Sequence, residues 1–195
     1  MRFDFGVLGG FKRRAFYVLL WSFVTMLLIG LVADLTQRPY IFPSLGPTAL
    51  MVFAHPMRRD SAPRHVILGH AAGALCGYIA LWLTGLLGVG FSSEIGGRRV
   101  LAAAIALGLT SALMVLLKSE HAPAGATTLI VALGILPRLV DFLFLMGAVV
   151  LLAVLALIIN RICAIDYPIW SAAPWVRSHD AELLRKINTQ RAKRR

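Results

Sequence analysis

Read as apolar and polar positions, the chain shows four long apolar stretches separated by short polar breaks. They run over 15–33, 66–87, 100–117 and 142–159, each close to the roughly 20 residues a helix needs to cross a bilayer core. The breaks carry turn chemistry, as in the run holding Gly88, Gly90, Ser92, Ser93, Gly96 and Gly97. Two further apolar segments, 40–54 and 122–136, are about 15 residues each and short for a spanning helix. Each opens with proline and glycine and continues as a helix-compatible run. Proline disfavours helix in the residue before it. Each segment therefore predicts an extended lead-in followed by a half-helix beginning near Gly46 or Gly125.

The two short segments resemble one another. At an offset of 79 residues Gly46 falls on Gly125, Thr48 on Thr127, Leu50 on Leu129, Val52 on Val131 and Arg59 on Arg138. The order long, short, long then occurs twice. The expected fold is all-α: a polytopic helical membrane protein of two three-segment repeats, about 15–88 and 98–160, each with a broken short half-helix. Small residues at every fourth position, Gly69, Gly73 and Gly77, let another helix approach closely.

Composition agrees with a membrane body. Hydrophobic residues make up 58% and charged residues 15%, against about a quarter charged in soluble domains. The net charge of +11 alone would fit nucleic acid, but eight of the 20 Lys and Arg follow residue 160 and four precede residue 15. Basic flanks of this kind orient inserted helices, so no nucleic acid is expected. The flanks 1–14 and 161–195 read as cytoplasmic, and the protein as a multi-pass component of a bacterial-type inner membrane. The stretch 15–33 is too long for the apolar core of a signal peptide and reads as a retained first helix. Tyr167, Trp170 and Trp175 suit an interfacial belt, and 178–195 suits anionic lipid. Cys76 and Cys163 lie in different segments without metal-ligand spacing, and no metal or cofactor is expected.

Two basic ends on one side imply an even number of crossings. Four crossings put Arg38, Arg58, Arg59, Arg64, Lys118 and Arg138 outside, with Arg98 and Arg99 inside. Six crossings move Arg58, Arg59, Arg64 and Lys118 inside and violate the positive-inside tendency less. Seven extended residues and a nine-residue helix reach on the order of 35 Å, enough for the roughly 30 Å core. Three crossings per repeat would make the repeats inverted, and broken segments at matching places then point to a binding site.

The donors in those segments favour an anion. Half-helix N-termini offer free N–H groups and a positive dipole end, here near Gly46 and Gly125. Hydroxyls of Ser44, Thr48, Thr127 and Thr128 add neutral donors, and neither short segment holds a carboxylate. His121, at the start of the second short segment, and His70, inside the second long helix, are ionisable groups in or beside the membrane body, which makes them functional candidates. The competing reading is that both segments are packed, kinked helices and the histidines structural. No catalytic pattern such as HExxH or G-x-S-x-G occurs, and an enzyme is not expected.

At these same residues the sequence resembles the HPP family of small integral membrane proteins. The stretch from His121 to Thr128 (HAPAGATT) corresponds to the family's His-Pro-Pro and Gly-Gly-Ala-Thr-like run, and Ser44 to Ala49 (SLGPTA) to an earlier family stretch. Ala122 stands where the name-giving motif has its middle proline. The resemblance covers roughly 38–160. Plastid members are associated with nitrite transport, so the resemblance implies transport of a small inorganic anion. The expected protein is a channel or secondary transporter, a homodimer or larger oligomer, binding its anion between the two half-helix N-termini near the bilayer midplane. The alternative is a non-transporting membrane scaffold or subunit of a larger complex.

Overall fold

A computed structural model describes residues 11–92 and 95–171. The basic tail at 178–195 and Trp175 lie outside the described residues. Six α-helices follow in order: α1 (Phe11–Thr36), α2 (Leu45–Ala54), α3 (Pro63–Leu83), α4 (Gly97–Leu116), α5 (Ala124–Ala132) and α6 (Asp141–Ile162), with a 3-10 turn at Arg59–Ser61. The described residues contain no strand. Four helices, α1, α3, α4 and α6, are long and apolar enough to cross a membrane, and the two half-helices begin one residue before the glycines that predict them.

Proline marks the starts. Pro63 opens α3 and Pro123 immediately precedes α5, positions where a missing N–H costs nothing. Five helices end in the same way, with a left-handed residue and paired 6→1 and 5→2 backbone bonds that satisfy otherwise bare carbonyls. After α5, Gly134 has φ 82° and Ile135 donates to the Ile130 carbonyl at 3.1 Å. Gly85 does this after α3, while Gln37, Lys118 and Ala164 take the left-handed position after α1, α4 and α6.

The half-helix α2 ends differently. Arg14, near the start of α1, donates to the Ala54 carbonyl at 2.6 Å. Arg99, near the start of α4, is buried and reaches the Ala132 carbonyl of α5 at 3.4 Å and the Val89 and Gly90 carbonyls at 3.1 and 3.0 Å. Both half-helices thus meet a guanidinium at the negative end of the helix dipole.

These contacts also fix chain direction. The end of α2, the starts of α1 and α3 and the end of α4 lie together, since Arg64 bonds the Leu117 carbonyl and Ser61 the Met51 carbonyl. The segment after α6 joins them, through Trp170 to Arg64 and Tyr167 to Ser61. At the other end of the bundle the end of α5 meets the start of α4, and Gly88 bonds the Pro137 carbonyl. The chain therefore passes from one end of the bundle to the other six times, twice through a half-helix and its lead-in.

Packing divides the helices into two groups. One contains α3, α4 and α5; the other contains α1, α2 and α6, with α3 and α6 in contact between them. In chain order, α3 packs on α4 and α5, and α6 packs on α1 and α2. Much of the outer surface is apolar, including Leu19, Phe23, Leu27 and Leu31 on α1. Apolar exposure on this scale is that of a surface covered by lipid.

Candidate functional site

The glycine stripe of α3 determines how closely α5 approaches. A Cβ at Gly69 would lie 2.8 Å from the His121 Cβ, one at Gly73 2.7 Å from the Ala124 carbonyl oxygen, and one at Gly77 2.7 Å from the Val131 Cβ. The stripe predicts a close helix neighbour, and that neighbour is α5, running parallel to α3.

This approach brings Thr127 of α5 against His70 of α3, with Thr127 Oγ1 2.6 Å from His70 Nδ1. The opposite ring nitrogen, Nε2, lies 2.9 Å from Thr48 Oγ1 on α2. The two threonines that match at the repeat offset therefore hold one imidazole between them. Thr48 Oγ1 also lies 3.2 Å from His121 Nε2 and 2.9 Å from the Ser44 carbonyl. His121 Nδ1 in turn lies 2.8 Å from the Asp60 carbonyl in the 3-10 turn. The two imidazole centroids are 5.1 Å apart. Thr48, His70, His121 and Thr127 have no exposed surface.

The cluster sits where the two half-helices begin, since Thr48 is in the first turn of α2 and His121 just precedes α5. From this level α2 runs to one end of the bundle and α5 to the other. His70 is seven residues beyond Pro63, about 10 Å along a helix of roughly 31 Å. Measured along α3, the cluster lies about a third of the way across rather than midway. Among the described residues no carboxylate oxygen bonds any of the four side chains; Asp60 contributes its backbone carbonyl only.

Three candidates are placed elsewhere. Gly46 is exposed on the outer side of α2, beside Arg14, Val18 and Leu50 in an open groove against α1. The Gly125 N–H is already bonded to the Ala122 carbonyl at 3.0 Å, as are those of Ala124 and Ala126 to His121 and Pro123. A Cβ at Gly125 would meet only Leu107 of α4, at 3.7 Å. The Gly125 N–H thus has an acceptor within its own lead-in, and Gly46 lies outside the histidine cluster. Thr128 bonds Thr110 of α4 at 2.9 Å and the Ala124 carbonyl at 3.1 Å, outside the histidine cluster. Ser44 joins through its carbonyl, and its buried hydroxyl has no partner.

Further polar groups support the site, among them Tyr167, which the sequence assigns to an interfacial belt and the fold buries completely. Asn160 of α6 accepts from the Tyr17 hydroxyl at 2.9 Å and donates to the Ala156 and Val52 carbonyls at 2.8 and 3.4 Å. Tyr167, beyond α6, is buried and donates to the Ser61 carbonyl at 2.6 Å, bracing the 3-10 turn beside Asp60. Burial raises its phenol pKa well above the ordinary value, so it stays a donor. His65 is buried in the first turn of α3, and neither ring nitrogen makes a hydrogen bond of good geometry.

Among known proteins, the transmembrane region of the HPP family matches residues 11–168. A transmembrane protein of Dictyostelium discoideum is 28% identical over 158 residues, covering 76% of this chain and 53% of that protein. The chain thus spans about half the length of that relative. No solved structure matches.

Proposed function

The chain belongs to the HPP family of transmembrane proteins, and on that footing we propose that it transports a small inorganic anion, with nitrite the first candidate, across the membrane that holds it. The observation that carries this reading is the buried cluster of Thr48, His70, His121 and Thr127 at the joint start of two half-helices. Intramembrane ionisable groups are expensive to keep and mark transport paths. The positive dipole ends of both half-helices favour an anion at this level, and no carboxylate oxygen among the cluster's bonds opposes one.

The donors are side chains. In the closed arrangement the hydroxyls and imidazoles satisfy one another, and an anion takes their place when α2 and α5 separate, accepting from Thr48, Thr127 and an imidazole N–H. The chain directions of the two segment triplets and the paired Arg14 and Arg99 caps support two inverted repeats, an architecture in which one half rocks against the other around such a site. We place the protein in a bacterial-type inner membrane with both ends on the cytoplasmic side, acting as a homodimer or larger oligomer.

The test is anion flux into liposomes containing purified protein, with nitrite, nitrate, formate and chloride compared. Flux of one anion is expected. It should fall at least about tenfold in His121→Ala, roughly the loss of one charge-assisted hydrogen bond, and persist in Gly125→Ala, whose added carbon has room. No flux of any of the four above empty liposomes, from folded protein at several pH values, would overturn the transport reading in favour of a membrane scaffold.

A further inference from the structure

The hydrogen-bond network of the cluster is one proton short. It contains five contacts: Thr127 with His70 Nδ1, His70 Nε2 with Thr48, Thr48 with His121 Nε2, Thr48 with the Ser44 carbonyl, and His121 Nδ1 with the Asp60 carbonyl. Each needs one proton between its two heavy atoms. Two neutral imidazoles and two hydroxyls supply four.

The Asp60 carbonyl can only accept, so Nδ1 of His121 carries a proton and its neutral Nε2 is an acceptor. With four protons Thr127 donates to His70, His70 donates from Nε2 to Thr48, and His121 donates to Asp60. The single Thr48 proton goes either to the Ser44 carbonyl or to His121 Nε2, and the other of these two contacts stays unmet. The two histidines are opposite tautomers.

A fifth proton has one position that completes all five contacts. On His121 Nε2 it makes that nitrogen a donor to Thr48 Oγ1. The Thr48 hydroxyl rotates to the Ser44 carbonyl, and its oxygen accepts from both imidazoles while donating once. On His70 the same proton turns Nδ1 into a donor, leaves the Thr127 hydrogen without its acceptor, and still leaves Thr48 to choose between Ser44 and His121.

We propose that His121 is a proton-binding site that takes up one proton from the aqueous phase, with the Thr48 hydroxyl as its rotary switch, and that this proton couples to transport. The coupling rests on the transport reading; the proton site does not. The charged and titratable groups around His121 are Asp60 from the 3-10 turn and His65 and His70 from α3. Helices α2 and α5 carry no charged residue, and Lys118 and Glu120 precede His121 on its own segment. Arg59 and Arg64 act on His65. The Asp60 carboxylate pairs with Arg58 at 2.8 Å, and it is the Asp60 backbone carbonyl that meets His121 Nδ1.

The experiment is nitrogen-15 NMR of histidine-labelled full-length protein in lipid bilayers, from about pH 8 to about pH 4, bracketing the ordinary imidazole range. Signals are assigned with His70→Gln and His121→Gln. At high pH the proposal expects His121 protonated at Nδ1 and His70 at Nε2. As pH falls, His121 becomes doubly protonated first while His70 keeps its tautomer. Thr48→Val, which removes the oxygen that accepts the new N–H, should shift the His121 titration at least about one unit lower, and Thr48→Ser should restore it. Like tautomers at high pH, protonation of His70 first, a His121 that does not titrate, or an unchanged titration in Thr48→Val each overturns the proposal. None of these readouts needs anion flux, so failure here and failure of the transport reading are separate results.

Discussion

Replacing Gly73 by alanine tests the close packing on which the cluster depends. The added Cβ would lie 2.7 Å from the Ala124 carbonyl oxygen and 2.8 Å from Thr128 Oγ1. Ordinary contacts between heavy atoms are near 3.5 Å, so α5 must retreat from α3 by about 0.8 Å. The obstacle is backbone, which cannot rotate out of the way as a flexible side chain does. Overpacking of this kind costs about 1–3 kcal/mol, a factor of roughly 5 to 150 in the folded-to-unfolded ratio. The same retreat stretches the 2.6 Å contact between Thr127 and His70 to about 3.4 Å, beyond good hydrogen-bond geometry. Gly108→Ala is the control, because nothing lies within 4 Å of its Cβ position on α4, and alanine there gains up to about 1 kcal/mol of helix propensity. Unfolding in detergent micelles, followed by circular dichroism over a denaturant series, compares the two variants. Equal stability of Gly73→Ala and Gly108→Ala would refute the claim that the stripe sets the α3–α5 distance.

Two further predictions concern the supports of the site. Arg99→Met keeps the aliphatic length but removes the donors to three backbone carbonyls; it should destabilise by about 2 kcal/mol or more, since hydrogen bonds from charged groups are each worth about 1.5–3 kcal/mol. Arg99→Lys should recover part of this in the same unfolding assay, and full stability of Arg99→Met would show that the cap is idle. Tyr17→Phe and Asn160→Leu should each lower stability, and the double variant should lose less than their sum by about 0.5–1.5 kcal/mol, because both remove the 2.9 Å bond between α1 and α6. Strict additivity would mean that the bond contributes nothing measurable.

The architecture was legible where a residue type has one physical use. Pro43, Pro47 and Pro123 permit only an extended lead-in or a first helical turn, so the half-helices at Leu45 and Ala124 follow from them. Gly69, Gly73 and Gly77 announce a close neighbour without naming it. Thr48 and Thr127 are found by the repeat offset alone, and they hold the same imidazole. Helix phase was the missing step at the glycines. Successive residues turn by about 100°, so if Thr48 and Thr127 face the cluster, Gly46 and Gly125 two residues earlier point about 200° away. Thr128, one position on, is turned toward α4. The rotation governs side chains, and the residue types alone did not announce the bonds that the N–H groups of Ala124, Gly125 and Ala126 make to their own lead-in. Asp60 had no signal at all, because it acts through a carbonyl that every residue possesses. Arg99 looked like a loop charge until the fold set it under the end of α5.

The cluster also joins the two helix groups in an uneven way. His70, His121 and Thr127 belong to the group of α3, α4 and α5, and the Asp60 carbonyl lies in the turn that leads into α3. Thr48 alone comes from the group of α1, α2 and α6. Any sliding of one group past the other must therefore break the bonds of Thr48 to His70 and His121, while the Thr127–His70 and His121–Asp60 bonds travel intact within their group. The protonated network satisfies every contact of Thr48, and the neutral network leaves one unmet. A proton on His121 thus strengthens the Thr48 link between the groups, which stands beside the bonds of Ser61 to Met51 and Tyr167 to Ser61. The repeat supplies matching threonines, but the positions 79 residues from His70 and His121 are Val149 and Phe42. The two matching threonines accordingly meet a pair of imidazoles that the offset does not relate.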